Sequence, residues 1–145
     1  MKKISYGCII LSMVVMGACG SGGGLSKGDK HFQQEEYELA IKEYQSALNK
    51  GKDPAKANYQ IAEAYRRSNR LPEAEQFYKA AIDNKTDQPD AGFYYGMALK
   101  ANGKYEESQR QLQEYLKVAR NAPLKALATR EVENYATLSD ILKKH

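Results

Sequence analysis

Two histidines, two glutamate pairs, an arginine cluster and two cysteines are the side chains that could do chemistry in this chain. His31 and His145 are the residues available for general acid–base work near neutral pH. His31 falls where the repeat described below packs an aromatic. That favours a histidine at the edge of the core over a general base. His145 is the last residue of the chain and has no placed partner. Glu35-Glu36 and Glu106-Glu107 are adjacent carboxylates, and each pair lies at the start of a predicted helix. A favourable interaction with the helix dipole accounts for them. Arg66, Arg67 and Arg70 form a basic cluster that reads either as a ligand contact or as a solvated face. Cys8 and Cys19 are the only cysteines, and Cys8 lies in a segment expected to be removed. No disulfide is then possible within the mature chain. No catalytic residue, metal site or cofactor is expected, and the chain does not read as an enzyme.

That removable segment is the first address on the chain. Lys2 and Lys3 are followed by an apolar run that includes Ile9, Ile10, Leu11, Val14 and Val15. The order is that of a secretory leader, and the run is shorter than the ~20 residues of a membrane span. Met16-Gly17-Ala18-Cys19 resembles a bacterial lipobox, with Cys19 as the lipidated residue. An ordinary signal peptide cut near Ala18 is the other reading. The resemblance implies a leader over 1–18 and a lipidated, glycine-rich tether over 19–24. The tether, Gly20-Ser21-Gly22-Gly23-Gly24, is flexible by composition. It is not a phosphate loop, because no strand precedes it and no Lys-Ser/Thr follows.

Cutting after residue 18 of 145 leaves 127 residues, one domain by length. Losing Lys2 and Lys3 lowers the formal net charge from +4 to +2. Nucleic acid is a poor partner for so small an excess.

The elements that position these residues show in self-comparison at a fixed offset. Gly28, Ala62 and Gly96 are spaced by 34. So are Tyr37, Leu71 and Tyr105, then Ala40, Ala74 and Ser108, then Tyr44, Tyr78 and Leu112, and finally Ala47, Ala81 and Tyr115. Asp53-Pro54 and Gln88-Pro89-Asp90 read as helix starts, and Asn69 and Gly103 as turns between helices. Glu35 stands where a turn Gly or Asn is usual, and the first helix is expected to be short, with fraying over Leu25–Gln34. This spacing resembles the tetratricopeptide repeat, through Tyr37–Leu48 for the second helix and Ile61–Tyr65 and Tyr95–Leu99 for the first. The resemblance covers about Leu25–Lys117. It implies an all-α fold: a right-handed solenoid of about three helix-turn-helix repeats over 25–122. A capping helix over 123–145 closes it, with Leu124, Leu127, Ala128, Val132, Tyr135, Leu138 and Leu142 as an apolar stripe.

In that family the first helix of each pair lines a concave groove that takes a peptide or protein segment. The matching positions are Asp29, Phe32 and Gln33 in repeat one. Repeat two supplies Lys56, Tyr59, Glu63, Arg66 and Arg67, and repeat three Asp90, Phe93, Met97 and Lys100. Tyr59 and Phe93 could equally pack against neighbouring helices. The family's chaperone-binding members use a Lys/Asn clamp, and Tyr59 and Glu63 stand at its positions here, so that role is not implied. Ala126–Ala136 looks like the helix closing the repeats of large OmpA-family lipoproteins. Two functions follow as expectations. One is a lipid-anchored periplasmic interaction scaffold of the cell envelope, in an outer-membrane or secretion-associated assembly. The other is the N-terminal piece of a peptidoglycan-tethering structural lipoprotein.

Overall fold

The turns between the helices of each repeat share one backbone geometry. Glu35, Asn69 and Gly103 all adopt positive φ, at 61°, 59° and 73°. At each of them the helix ends in the same pair of hydrogen bonds. Arg70 N–H reaches Tyr65 O at 2.8 Å while Asn69 N–H reaches Arg66 O at 3.1 Å. Glu36 to His31 with Glu35 to Phe32, and Lys104 to Leu99 with Gly103 to Lys100, reproduce that pair. This is a Schellman stop, which satisfies the orphan carbonyls of the last turn. A second series lies between repeats, at Gly51 (φ 68°) and Lys85 (φ 59°), with the same bonding. Glu35 and Lys85 pay the steric cost of a left-handed conformation that glycine avoids.

These stops delimit seven helices in the computed structural model, which describes residues 23–143. They are α1 (Gly23–Gln33), α2 (Tyr37–Asn49), α3 (Pro54–Arg67), α4 (Leu71–Asp83), α5 (Ala91–Ala101), α6 (Tyr105–Val118) and α7 (Ala122–Lys143). The architecture is the all-helical tetratricopeptide solenoid that the period of 34 implies. Asp53 caps α3 through its side chain, accepting from Lys56 N–H at 3.0 Å, with Pro54 as the first helical residue. The first helix is not cut short by the tether: at eleven residues it equals α5. It starts at Gly23, so the last two glycines assigned to the tether already lie in α1.

Each helix packs on the next in sequence, from α1 on α2 to α6 on α7. Close approach is possible because the recurring small positions are fully buried. Ala40, Ala47, Ala62, Ala74 and Ala81 all have no exposed surface. At Gly28 a Cβ would come within 2.4 Å of the Tyr44 ring, and at Gly96 within 2.7 Å of Leu112 Cδ2. The large partners at the facing positions, Tyr44, Tyr78 and Leu112, fill the space so gained. Layers are thus bonded by one small residue against one large one, once per repeat.

α7 takes the place of a fourth first helix. Leu124, Ala128 and Val132 pack into the last core cluster, with Phe93, Leu112 and Tyr115. Leu127 and Tyr135, from the same predicted stripe, are only partly covered, and the side chains of Leu138 and Leu142 lie outside the described residues. The position that is Gly28, Ala62 and Gly96 in the repeats is Arg130 in α7, and it is exposed.

Candidate interaction surface

The first helices α1, α3, α5 and α7 form one layer, joined side by side through polar contacts. Gln60 on α3 donates to Asp29 on α1 at 3.2 Å. Arg66 on α3 sits over the Tyr94 ring of α5, 4.5 Å from its centroid. Lys100 on α5 pairs with Glu131 on α7 at 2.5 Å. By the register of the repeat, the exposed side of this layer corresponds to the inner face of a tetratricopeptide solenoid.

Its floor is built from a carboxylate and a tyrosine in register. In repeat one the Tyr44 hydroxyl donates to Asp29 at 2.8 Å. In repeat two Tyr78 donates to Glu63 at 2.5 Å. Glu63 is itself buried and is held by a forked Arg66, through Nε at 2.9 Å and Nη2 at 2.6 Å. Repeat three puts Met97 and Leu112 at the same two positions. Replacing both polar partners together leaves nothing unsatisfied, which is why the exchange is tolerated. Burial, then the Asp29 bond, drives the Tyr44 phenol well above its ordinary range. Burial and the Glu63 charge do the same for Tyr78, and for Tyr59 beside it. The hydrogen bonds that Arg66 donates to Glu63, opposed by burial, raise its guanidinium.

Aromatic rings run across this floor. Tyr59 meets Tyr78 edge-on at 6.1 Å, Tyr78 stacks on Tyr94 at 6.0 Å, and Tyr94 meets Phe93 edge-on at 5.3 Å. Geometries of this kind are the favoured ones for aromatic pairs.

The predicted groove residues do not all reach the inner surface. Phe93 is a core residue, 5% exposed, with its ring 5.7 Å from Tyr115 and packed with Leu112 and Ala128. The closing helix α7 covers it. Glu63 is 8% exposed and acts as an internal ion-pair partner. Phe32 is half-buried, edge-on to Tyr37 at 5.6 Å, and packed against the first core cluster. Asp29 serves Tyr44 and Gln60. Asp90 serves Tyr115 at 2.9 Å and Asn121 at 3.1 Å, and does not cap α5 with its side chain. Burial and that Asp90 bond push the Tyr115 phenol up to about 12. Lys100 is tied to Glu131.

What remains on the surface is a shorter set. Gln33, Lys56 and Arg67 are exposed, and Tyr59, Arg66 and Met97 are half-buried. Tyr94, also half-buried, belongs with them, and the family register did not point to it. Its signal was Gln60, 34 residues earlier, whose position reaches back onto the preceding repeat's carboxylate.

The remaining chemical candidates are structural. His31 Nδ1 and Glu36 Oε2 lie 2.6 Å apart across the first turn. The arginine cluster splits three ways: Arg66 to Glu63, Arg67 to solvent, and Arg70 to Glu38 and Glu73 with its guanidinium over Tyr65. Among the described residues no cluster of His, Cys, Asp and Glu could hold a metal, and no helix is long and apolar enough to cross a membrane. Cys19, the leader, the first part of the tether and His145 lie outside the described residues.

Residues 25–89 match the sequence profile of the tetratricopeptide repeat. The chain is 33% identical over 86 residues to the human protein O-mannosyl-transferase TMTC2, and 34% over 80 residues to the mouse protein. These alignments take in 57% and 53% of the chain but only 10% of either relative. Solved structures match over more of it. The second repeat domain of human RPAP3, solved in complex with the HSP70 peptide SGPTIEEVD, is 21% identical, with a TM-score of 0.65 over 81% of this chain and 98% of that one. A type III secretion complex from Aeromonas hydrophila is 18% identical, with a TM-score of 0.68 over 83% of both. At these identities the likeness is one of fold. The repeat profile thus covers residues 25–89, and the described helices form a tetratricopeptide-like solenoid.

Proposed function

We propose that this tetratricopeptide repeat chain is a protein-interaction scaffold. It grips a segment of a partner protein on the inner face, and it does so from a lipid anchor at Cys19 in the bacterial cell envelope. The observation that carries the first half is the set of side chains left over once the core is complete. Tyr59, Tyr94 and Met97 are half-buried, with part of each left accessible, and Lys56 and Arg67 beside them are exposed. Rigid aromatics with a cationic rim are the composition of binding hot spots. The neighbours solved with chaperone peptides are in keeping with this use of the fold.

The anchor rests on the sequence: Lys2-Lys3, the apolar run, and Met16-Gly17-Ala18-Cys19. A diacylglyceryl thioether plus an N-acyl chain exceeds the two chains that suffice for stable anchoring. Helix α1 begins four residues after Cys19, so a lipid on that cysteine would hold the repeats close to the membrane; the proposal puts them on the periplasmic side of the outer membrane. A secretion-associated assembly is the kind of machine such a scaffold would serve.

Two substitutions test the halves separately. Cys19→Ser should move the protein from membrane to soluble fraction and abolish fatty-acid labelling. Labelling that persists in the variant refutes the anchor. Tyr59→Ala with Arg67→Ala should abolish partner capture without altering the circular dichroism spectrum. A folded variant that still captures the partner refutes the inner face.

A further inference from the structure

The inner face is unequal in what it has left to offer. Its carboxylates are engaged by the chain itself: Asp29 by Tyr44 and Gln60, Glu63 by Arg66 and Tyr78, Asp90 by Tyr115 and Asn121, Glu131 by Lys100. Its cations are not all engaged. Lys56 and Arg67 are exposed and, among the described residues, take part in no ion pair. Ammonium and guanidinium groups donate and never accept. The face therefore has spare donors with positive charge and few spare acceptors.

Spacing sharpens this. Lys56, Tyr59, Glu63 and Arg67 follow one another at three- and four-residue steps, one stripe of α3. Lys56 and Arg67 are separated by about 16 Å along the helix axis, at about 1.5 Å per residue. An extended chain covers that distance in about five residues. Between the two cations lies the half-buried Tyr59 ring, next to Tyr78.

We infer that the partner segment is acidic and extended, with two carboxylate side chains about five residues apart that meet Lys56 and Arg67, and an apolar residue between them on Tyr59. This rests on the inner-face reading above. It needs no C-terminal carboxylate, because the recognised charges are side chains. A protein segment is favoured over an anionic membrane because a flat bilayer cannot follow the inner face of a solenoid.

The probe is an amidated peptide with two Glu about five residues apart around a Leu, beside its Gln and Lys counterparts. Each is titrated into the full chain by fluorescence anisotropy. The Glu peptide should bind at least about tenfold tighter than either counterpart, a difference of about 1.4 kcal/mol, and should weaken as salt rises. Lys56→Glu with Arg67→Glu should erase that preference and leave the circular dichroism spectrum unchanged, since both residues are exposed. Equal binding of the Glu and Gln peptides, or binding of none, overturns the acidic preference. If Tyr59→Ala then abolishes the equal binding, the inner face stands and only the charge preference falls. Glu-peptide binding that survives both Tyr59→Ala and the charge reversal overturns the inner face itself. Binding to phosphatidylglycerol vesicles, lost on charge reversal, with no peptide bound, would reassign the cations to lipid.

Discussion

The Tyr78 hydroxyl donates to the Glu63 carboxylate, and the same pair recurs 34 residues earlier as Tyr44 and Asp29. The bond joins the two helices of a repeat beneath the inner face. Tyr78→Phe removes a donor to a buried charged group and should cost about 1.5–3 kcal/mol. Repeat three uses Met97 and Leu112 at these positions, so Glu63→Met with Tyr78→Leu should cost less than the sum of its single changes. Denaturant melts of the four proteins measure the coupling. Simple additivity would mean that the bond contributes nothing of its own.

Alkali should unfold the domain through the same tyrosines. Burial raises Tyr44, Tyr78 and Tyr115 above their unfolded value near 10, the last to about 12. A raised folded value means that the folded state holds the proton more tightly. The associated stability is complete below pH ~10 and declines as pH rises through the folded values. The thermal midpoint should therefore fall above pH ~10, and less so in Tyr44→Phe. A midpoint indifferent to pH in that range would contradict the burial of these phenols.

The turns predict two stabilising changes. Glu35 and Lys85 hold left-handed conformations in which glycine is unstrained. Glu35→Gly and Lys85→Gly should each raise stability by about 1 kcal/mol, against the usual direction of a glycine substitution. Asn69→Gly should do less, because Asn tolerates this region. Loss of stability in the first two would show that their φ values are not those of the folded chain in solution.

Close approach predicts the opposite for a helical glycine. Gly28→Ala brings a Cβ into the buried Tyr44 ring. Overpacking of this kind costs about 1–3 kcal/mol, which outweighs the gain of up to ~1 kcal/mol in helix propensity. A stabilised Gly28→Ala, read from the thermal midpoint, would place the Tyr44 ring elsewhere.

Much of this fold is legible in the sequence because one period governs both backbone and packing. Small residues at 28, 62 and 96 and large ones at 44, 78 and 112 announce each helix pair. Asn69 and Gly103 announce two of the turns, and Glu35 is placed by period alone, since its side chain argues against the conformation it adopts. The inner face is less legible. Family register puts Phe93 on the surface, but register cannot say that α7 will cover it. Glu63 and Asp29 read as exposed charges because their partners, Tyr78 and Tyr44, lie 15 residues away on another helix. Tyr94 was hidden beside Phe93, and only the stacking on Tyr78 and Arg66 brings it into the site.

Site-specific photocrosslinking in living cells is the most direct test of the central claim, that the inner face holds the partner. A benzophenone amino acid would replace Arg67 on α3 in one variant and Arg110 on α6, in the layer of second helices, in another. Both side chains are exposed, so neither change should disturb the fold. The account predicts one dominant crosslinked partner from position 67 and none from position 110. The same partner captured from position 110 and absent from position 67 would contradict it.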